Sequence, residues 1–404
     1  MIRKIPSCGI RYLAAAPGRK RQVADFTDSA VRQVQRFHRT LPGYRPTGLV
    51  RLDRLARRWK IGDILVKDES DRFGLNAFKV LGGSYAVARL VAQQLEIPWE
   101  QVAFSALTGD AFRHRLASMT LATATDGNHG RGVAWTAEQL GMQAVIFMPK
   151  GSAPARVENI RRHGARVEVT DLNYDDAVRL VWQKARQRGW QVVQDTAREG
   201  YRDIPRWIMQ GYTTMTAEAV AQMAGAGLHP THVFVQAGVG SFAAAMVAHL
   251  ARVYADQPPR FIVVEPDRAA CMLASARAGD GRPHAVTGDL DTIMAGLACG
   301  EPSPPAWDIL WEWACCFISC GNATAANGMR ILANPVGDDE AIEAGESGAV
   351  GIGLLDLLAN HPDCSSLSKA LELGPGATVL VFNTEGATDP VNYRDVIWYG
   401  KYGG

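Results

Sequence analysis

Lys79 stands where a nucleophilic amine would be of use. Leu75, Ala77 and Phe78 come just before it, Val80 and Leu81 just after, and then the pair Gly82 and Gly83. An ammonium in apolar company loses hydration, so this setting predicts a Lys79 pKa that falls towards neutrality and an amine free to attack a carbonyl as a Schiff base. The same residues also suit a lysine whose stem is buried and whose head reaches water.

Three small-residue turns offer further chemistry. Gly238, Val239, Gly240 and Ser241 follow one apolar run and open an Ala-rich stretch, 242–250. Glycines let the backbone approach a phosphate, and the N–H groups at a helix start hold its charge. The same letters also fit a dinucleotide fingerprint, with Glu265 as the acid, so a nicotinamide (NAD-dependent) dehydrogenase is the rival from another class. That fingerprint usually opens its domain, whereas here several strand–helix units precede it.

The second turn is Asp126, Gly127, Asn128, His129 and Gly130. Its N–H donors suit a substrate carboxylate and Asn128 a ring oxygen; equally, Asp126 caps a helix. The third, Asn383 to Gly386, brings the Thr384 hydroxyl to a sheet edge, either for an aromatic ring nitrogen or as a plain turn residue.

These turns need elements to hold them. Short apolar runs at 64–67, 121–125, 144–148, 167–170, 191–194, 231–236, 261–265 and 378–382 read as strands, and 78–95, 129–140, 154–163, 174–188 and 242–250 as helices. The alternation predicts an α/β protein with mostly parallel twisted sheets and helices on both faces. Functional groups then gather at the carboxyl ends of strands, where all three turns fall. The Gly- and Pro-rich stretches 279–288 and 300–305 read as surface or gating loops.

At 404 residues the chain exceeds one simple core, and 47% hydrophobic with 21% charged residues describes an ordinary globular enzyme. A net charge of +2 argues against a nucleic-acid or membrane surface. No run is long enough to span a bilayer. The basic stretch with Arg3, Lys4, Arg11, Arg19 and Lys20 reads as a solvated arm, with a transit peptide as the lesser alternative, and the protein as cytoplasmic. Seven scattered cysteines form no disulfide framework, and Cys315, Cys316 and Cys320 read as buried thiols. No metal is expected.

Together these segments resemble the pyridoxal-phosphate enzymes that share the fold of tryptophan synthase β and the threonine and serine dehydratases (fold type II). The match narrows at residues 68–79, 125–132, 193–196, 293–302, 345–350 and 384–386, which look like the diaminopropionate ammonia-lyases. The resemblance spans roughly 40–400. It implies α,β-elimination of 2,3-diaminopropionate, D and L, to pyruvate and two ammonia by way of aminoacrylate; a serine or threonine dehydratase is the near alternative. It implies a homodimer of two-domain subunits, with a larger cofactor-binding domain from 1–87 and 214–404 and a smaller one from 88–213.

By the same resemblance Lys79 is the Schiff-base lysine, Gly238, Val239, Gly240 and Ser241 hold the phosphate, Asn128 meets the ring oxygen and Thr384 the ring nitrogen. Relatives commonly carry Ser or Ala where this chain has Asp126, a stronger base. Lys79 would then remove the α-proton of one enantiomer and Asp126 that of the other, with Gly127 and His129 beside it on the substrate. Asp195 either binds the distal ammonium or is a strand-end turn residue. Glu346 and Ser347 face the ring or cap a helix, and Cys271 and Cys299 form a bridge or stay free. Some relatives bind a cation at the acid matching Glu265 with a second acid six residues on; here that place is Cys271, so no cation is expected.

Overall fold

The computed structural model describes residues 2–15 and 23–403. Arg19 and Lys20 of the basic stretch lie outside them. In chain order the strands are β1 (Arg3–Ile5), β2 (Ile10–Ala14), β3 (Leu49–Arg51), β4 (Asp63–Asp68), β5 (Thr120–Ala124), β6 (Gln143–Met148), β7 (Arg166–Val169), β8 (Gln191–Val192), β9 (His232–Gln236), β10 (Arg260–Pro266), β11 (Ala314–Cys320) and β12 (Thr378–Asn383).

Two sheets result. The larger has the order β1-β2-β11-β10-β9-β12-β4-β3, and the smaller β7-β6-β5-β8. The smaller is parallel throughout, and so is the centre of the larger; its edge pairs β1–β2, β2–β11 and β3–β4 are antiparallel. The strands of the small sheet all come from residues 120–192, whereas the large sheet draws on both ends of the chain.

The central strands are covered on both faces, which is why they read as unbroken apolar runs. Side chains alternate across the sheet. Val233 and Val235 of β9 join Val263 and Phe382 in one core, while Phe234 joins Ile262, Val264 and Val381 in the core on the other face. A one-residue slip would exchange these sets, so the register is strongly determined.

The N-terminal stretch is not a solvated arm over its described part. Ile10 and Tyr12 are buried, and β2 pairs with β11, so the segment closes the sheet edge. β11 itself was not expected as a strand. Cys316 and Cys320 are buried in it, as expected, and Cys315 is half-buried. Of the stretch 300–305, the end belongs to a helix that starts at Pro304 (Pro304–Trp313).

The helix Lys79–Gln94 packs against Asn128–Leu140 and Asp203–Gly225. Its neighbours approach too closely for side chains: a Cβ on Gly132 would lie 2.8 Å from Val80 Cα, and one on Gly211 2.5 Å from Leu81 O. This clamps the first turn of the helix, which carries Lys79, between both partners.

Candidate active site

The loop from β4 to Lys79 is anchored by buried charge. Arg72, 1% exposed, donates to Glu69 Oε2 at 2.7 Å and to Glu218 Oε2 at 2.7 Å, and Lys67 Nζ donates to the same Glu218 oxygen at 2.7 Å. Phe73 and Asn76 turn the chain through the left-handed region, each at φ 54°. Phe78 N then donates to Thr384 O at 3.2 Å, which ties the lysine loop to the end of β12.

Lys79 Nζ donates to Asp195 Oδ2 at 2.7 Å. Burial alone would depress the Lys79 pKa, but the Asp195 carboxylate, Tyr212 and Asp126 outweigh it and hold the ammonium protonated. The fall towards neutrality expected from apolar neighbours is therefore reversed, because the deciding carboxylate lies 116 residues away in sequence. Burial pushes the Asp195 carboxyl up, yet Lys79, His129 and the Lys79 and Tyr174 hydrogen bonds bring it to about 2. Tyr174 Oη reaches its other oxygen at 3.3 Å.

Asp126 opens the turn after β5, with its side chain 15% exposed. Its Oδ2 is buried without a hydrogen-bond partner, and the nearest cation is Arg156 at 3.7 Å. Burial raises its pKa, against the pull of Arg156 and Lys79, which suits a base. Arg156 also sits 3.5 Å from Glu346, whose other oxygen accepts from Asn392. Gly127, at φ 148°, leaves room for this arginine: a Cβ would meet Arg156 Cδ at 3.1 Å.

The turn is less open to substrate than its residue types suggest. Gly127 N and Gly130 N both donate to Thr125 Oγ1, at 2.9 and 3.0 Å, and Gly127 does not line the cavity. Among the described residues, nothing accepts from Asn128 N or His129 N. His129 Nε2 meets the Val193 carbonyl at 2.7 Å, so it carries the proton, and the buried Nδ1 is unpartnered. Asn128 Nδ2 donates to Glu385, with a second N–H to spare.

At the end of β9, Gly238, Val239 and Gly240 lead into the helix Ser241–Val253. Among the described residues, no acceptor takes the N–H groups of Gly238, Val239, Gly240 or Ser241. Unpaired donors at a helix start, beside a lysine amine, fit a phosphate-bearing aldehyde. A Cβ on Gly238 would press on Leu297 Cα at 3.1 Å, and Gly240 has φ 93°. Thr384 Oγ1 accepts from Gln236 Nε2 at 3.0 Å, so its own proton can point to a ring nitrogen.

These groups line one cavity. Lys79, Asp126, Asn128, His129, Asp195, Gly238, Val239, Gly240, Ser241 and Thr384 all face it. Ser347 faces it too, with an unpartnered Oγ, while Glu346 begins the helix Glu346–Asn360 and holds Arg156. Cys271 and Cys299 are both free, the first 3.5 Å from Gly238 O.

Sequence reasoning passed over Tyr174, Gln236 and Glu385, which line the cavity, and Arg156 behind Asp126. Only Glu385 carried a signal, as the residue after Thr384. Glu265 does not serve a ribose: its oxygens accept from Met272 N and Leu273 N at 2.7 and 2.8 Å. The dehydrogenase reading thereby loses its acid.

A sheet-end phosphate cradle facing a buried lysine defines a pyridoxal-phosphate-dependent α/β enzyme. The sequence pattern of the family described as "Pyridoxal-phosphate dependent enzyme" matches residues 40–385, and the chain belongs to that family. Within it, two curated relatives carry one and the same activity. The diaminopropionate ammonia-lyase of Escherichia coli strain K12 is 53% identical over 377 residues, 93% of each chain. That of Salmonella typhimurium strain LT2 is 50% identical over 91% of this chain and 92% of its own. The crystal structure of the Escherichia coli enzyme with an aminoacrylate–PLP azomethine reaction intermediate superposes with a TM-score of 0.91, at 50% identity over 98% of each chain. The chain is thus a member of the diaminopropionate ammonia-lyase family.

Proposed function

We propose that this enzyme eliminates ammonia from 2,3-diaminopropionate, in both D and L forms. The aminoacrylate released then takes up water to give pyruvate and a second ammonia. The observation that carries the two-enantiomer reading is the pairing in one cavity of Lys79 Nζ with Asp126 Oδ2, a buried carboxylate oxygen with no hydrogen-bond partner.

When bound, pyridoxal phosphate supplies an electron sink for the carbon that loses its proton. Lys79 holds the cofactor, with Gly238, Val239, Gly240 and Ser241 on its phosphate, Asn128 on the ring oxygen and Thr384 on the ring nitrogen. The N–H groups of Asn128 and His129 receive the substrate carboxylate; Gly127 serves by making room for Arg156. Lys79 takes the α-proton of one enantiomer and Asp126 that of the other. Asp195, low in pKa and so an anion, would hold the distal ammonium of the substrate. The proton on that nitrogen leaves with it as ammonia.

The test is the visible spectrum of the holoenzyme on addition of D- and then L-2,3-diaminopropionate, with pyruvate assayed in parallel. Both should respond, and Asp126→Asn should lose the response to D alone. Equal loss for both enantiomers refutes the two-base scheme, and faster turnover of D-serine or L-threonine refutes the substrate.

We further infer a cytoplasmic homodimer with residues 88–213 as its smaller domain. Seven free thiols suit a reducing compartment. Trp398, Tyr399 and Val391, at 74%, 71% and 60% exposed, offer an apolar face to a second copy. Cell fractionation, sedimentation and limited proteolysis check the three statements.

A further inference from the structure

Outside the lining of the cavity, at the turn between β1 and β2, Cys8 meets a second thiol. Its Sγ is 3.4 Å from Cys364 Sγ, across 356 residues of sequence, and the two are not bonded. His361 completes a trio whose ligand atoms all lie within 4.8 Å of one another. We propose that Cys8, His361 and Cys364 form a binding site for a soft divalent cation of the zinc class, with water in the fourth position.

Three observations carry this. The chemistry is that of a zinc site: two sulfurs and one imidazole are ligands such ions prefer over oxygen. The spacing is compatible, since Zn–S and Zn–N bonds of about 2.3 and 2.0 Å set tetrahedral ligand atoms roughly 3.5–3.8 Å apart, against 3.4 Å between the two sulfurs and no more than 4.8 Å between any two of the three groups. Finally, the ligands are held in place before any ion arrives. Cys8 and Cys364 each end a short 3₁₀ turn that begins with proline, Pro6–Cys8 and Pro362–Cys364. His361 caps the second turn, accepting from Asp363 N at 3.3 Å. Ser7 Oγ, next to Cys8, donates to Asp363 Oδ2 at 2.6 Å and locks the two turns together.

A cation there would staple the β1–β2 hairpin, the outermost strands of the large sheet, to the turn after the helix Glu346–Asn360. A disulfide would use only the two sulfurs, whereas a metal uses all three groups. Ligation releases the thiol protons to solvent, so binding should tighten as pH rises. Sequence gave little warning, because His361 and Cys364 lie in an ordinary His-x-x-Cys stretch and the third ligand is at the other end of the chain.

The test uses holoenzyme freed of metals with a chelator and kept in a phosphine reductant. Co²⁺ is added and thiolate-to-cobalt absorption read as a difference spectrum, and Zn²⁺ binding is measured by calorimetry. One equivalent should bind and raise the thermal midpoint. Cys8→Ser and His361→Ala should each weaken Zn²⁺ binding more than about a hundredfold, beyond the loss of an outer contact, with pyruvate release unchanged. Cys315→Ser should bind as before. No charge-transfer band, substoichiometric binding, or binding untouched in Cys8→Ser overturns the site. So does an intact mass showing Cys8 and Cys364 joined in freshly purified protein. Cys8 and His361 are only half-buried, so their variants should fold even where Cys364→Ser does not.

Discussion

Glu218→Gln keeps the shape of a buried side chain and removes its charge. Every contact of that carboxylate comes from a donor: Lys67 Nζ, Arg72 on both oxygens, Tyr44 Oη, and Thr47 N and Oγ1. An amide offers one acceptor in place of two and turns its NH₂ towards those donors. Two cations, Lys67 at 0% and Arg72 at 1% exposure, are left with Glu69 as their nearest anion. Removing one partner from a buried ion cluster costs about 3–5 kcal/mol. In a chain this long that should lower the thermal midpoint by about 4–6 °C. The loss should also depend on pH. Burial already depresses the Lys67 pKa, against the pull of Glu69 and Glu218, and without Glu218 it falls further. The folded state then binds fewer protons than the unfolded one, so stability rises with pH and the deficit shrinks towards pH 10. Scanning calorimetry of wild type, Glu218→Gln and the double variant Glu218→Gln/Lys67→Met, from pH 6 to 10, reads all of this. The double variant should recover part of the loss by removing the stranded cation. A deficit that is flat across pH, with no recovery in the double variant, would refute the reasoning.

Other outcomes follow from single sites. Burial pushes Glu265 up to about 8 against two backbone hydrogen bonds; its contribution is full below the unfolded value near 4.5 and lost as pH climbs through about 8. Glu265→Gln should therefore flatten the fall in thermal midpoint between pH 5 and 9. Asp195→Asn removes the largest of the pulls that raise the Lys79 amine, so cofactor reloading of the apoenzyme, followed by absorbance, should shift to lower pH while turnover of both enantiomers drops. At Gly240, with φ 93° and Met272 Cε 2.5 Å from the Cβ position, alanine should cost about 1–2 kcal/mol and weaken cofactor retention, as measured by dialysis.

Much of the scaffold was legible because its central strands are continuous apolar runs separated by amphipathic helices. The helix Tyr174–Arg188 matched at both ends, where Asn173 caps its start and Gly189 its finish. β11 escaped notice since Ala-Cys-Cys-Phe-Ile-Ser-Cys follows directly on a Trp-rich helix and lacks alternation. The edge hairpin was hidden by its charge: Arg3 and Lys4 are exposed, and only Ile5, Ile10 and Tyr12 of its two strands are fully buried. At the site, residue types located Lys79 and the glycine cradle, for these depend on local chemistry. The ionisation of Lys79 and the support behind Asp126 depend on Asp195 and Arg156, and such pairings exist only in three dimensions.

The place of β12 has a consequence for how the chain is made. This strand, Thr378–Asn383, lies between β9 and β4 in the middle of the large sheet. A ribosome therefore delivers this central strand after every other described strand of either sheet, and until it emerges β4 and β9 have no partner between them. The small sheet has no such wait, since 120–192 contains all of its strands. Nascent chains should thus carry a folded small unit beside an open half-sheet whose exposed edges invite chaperones. Thr384 and Glu385 follow directly on that strand, so closing the sheet and completing the catalytic cavity are one event, and a chain cut short before it would have neither.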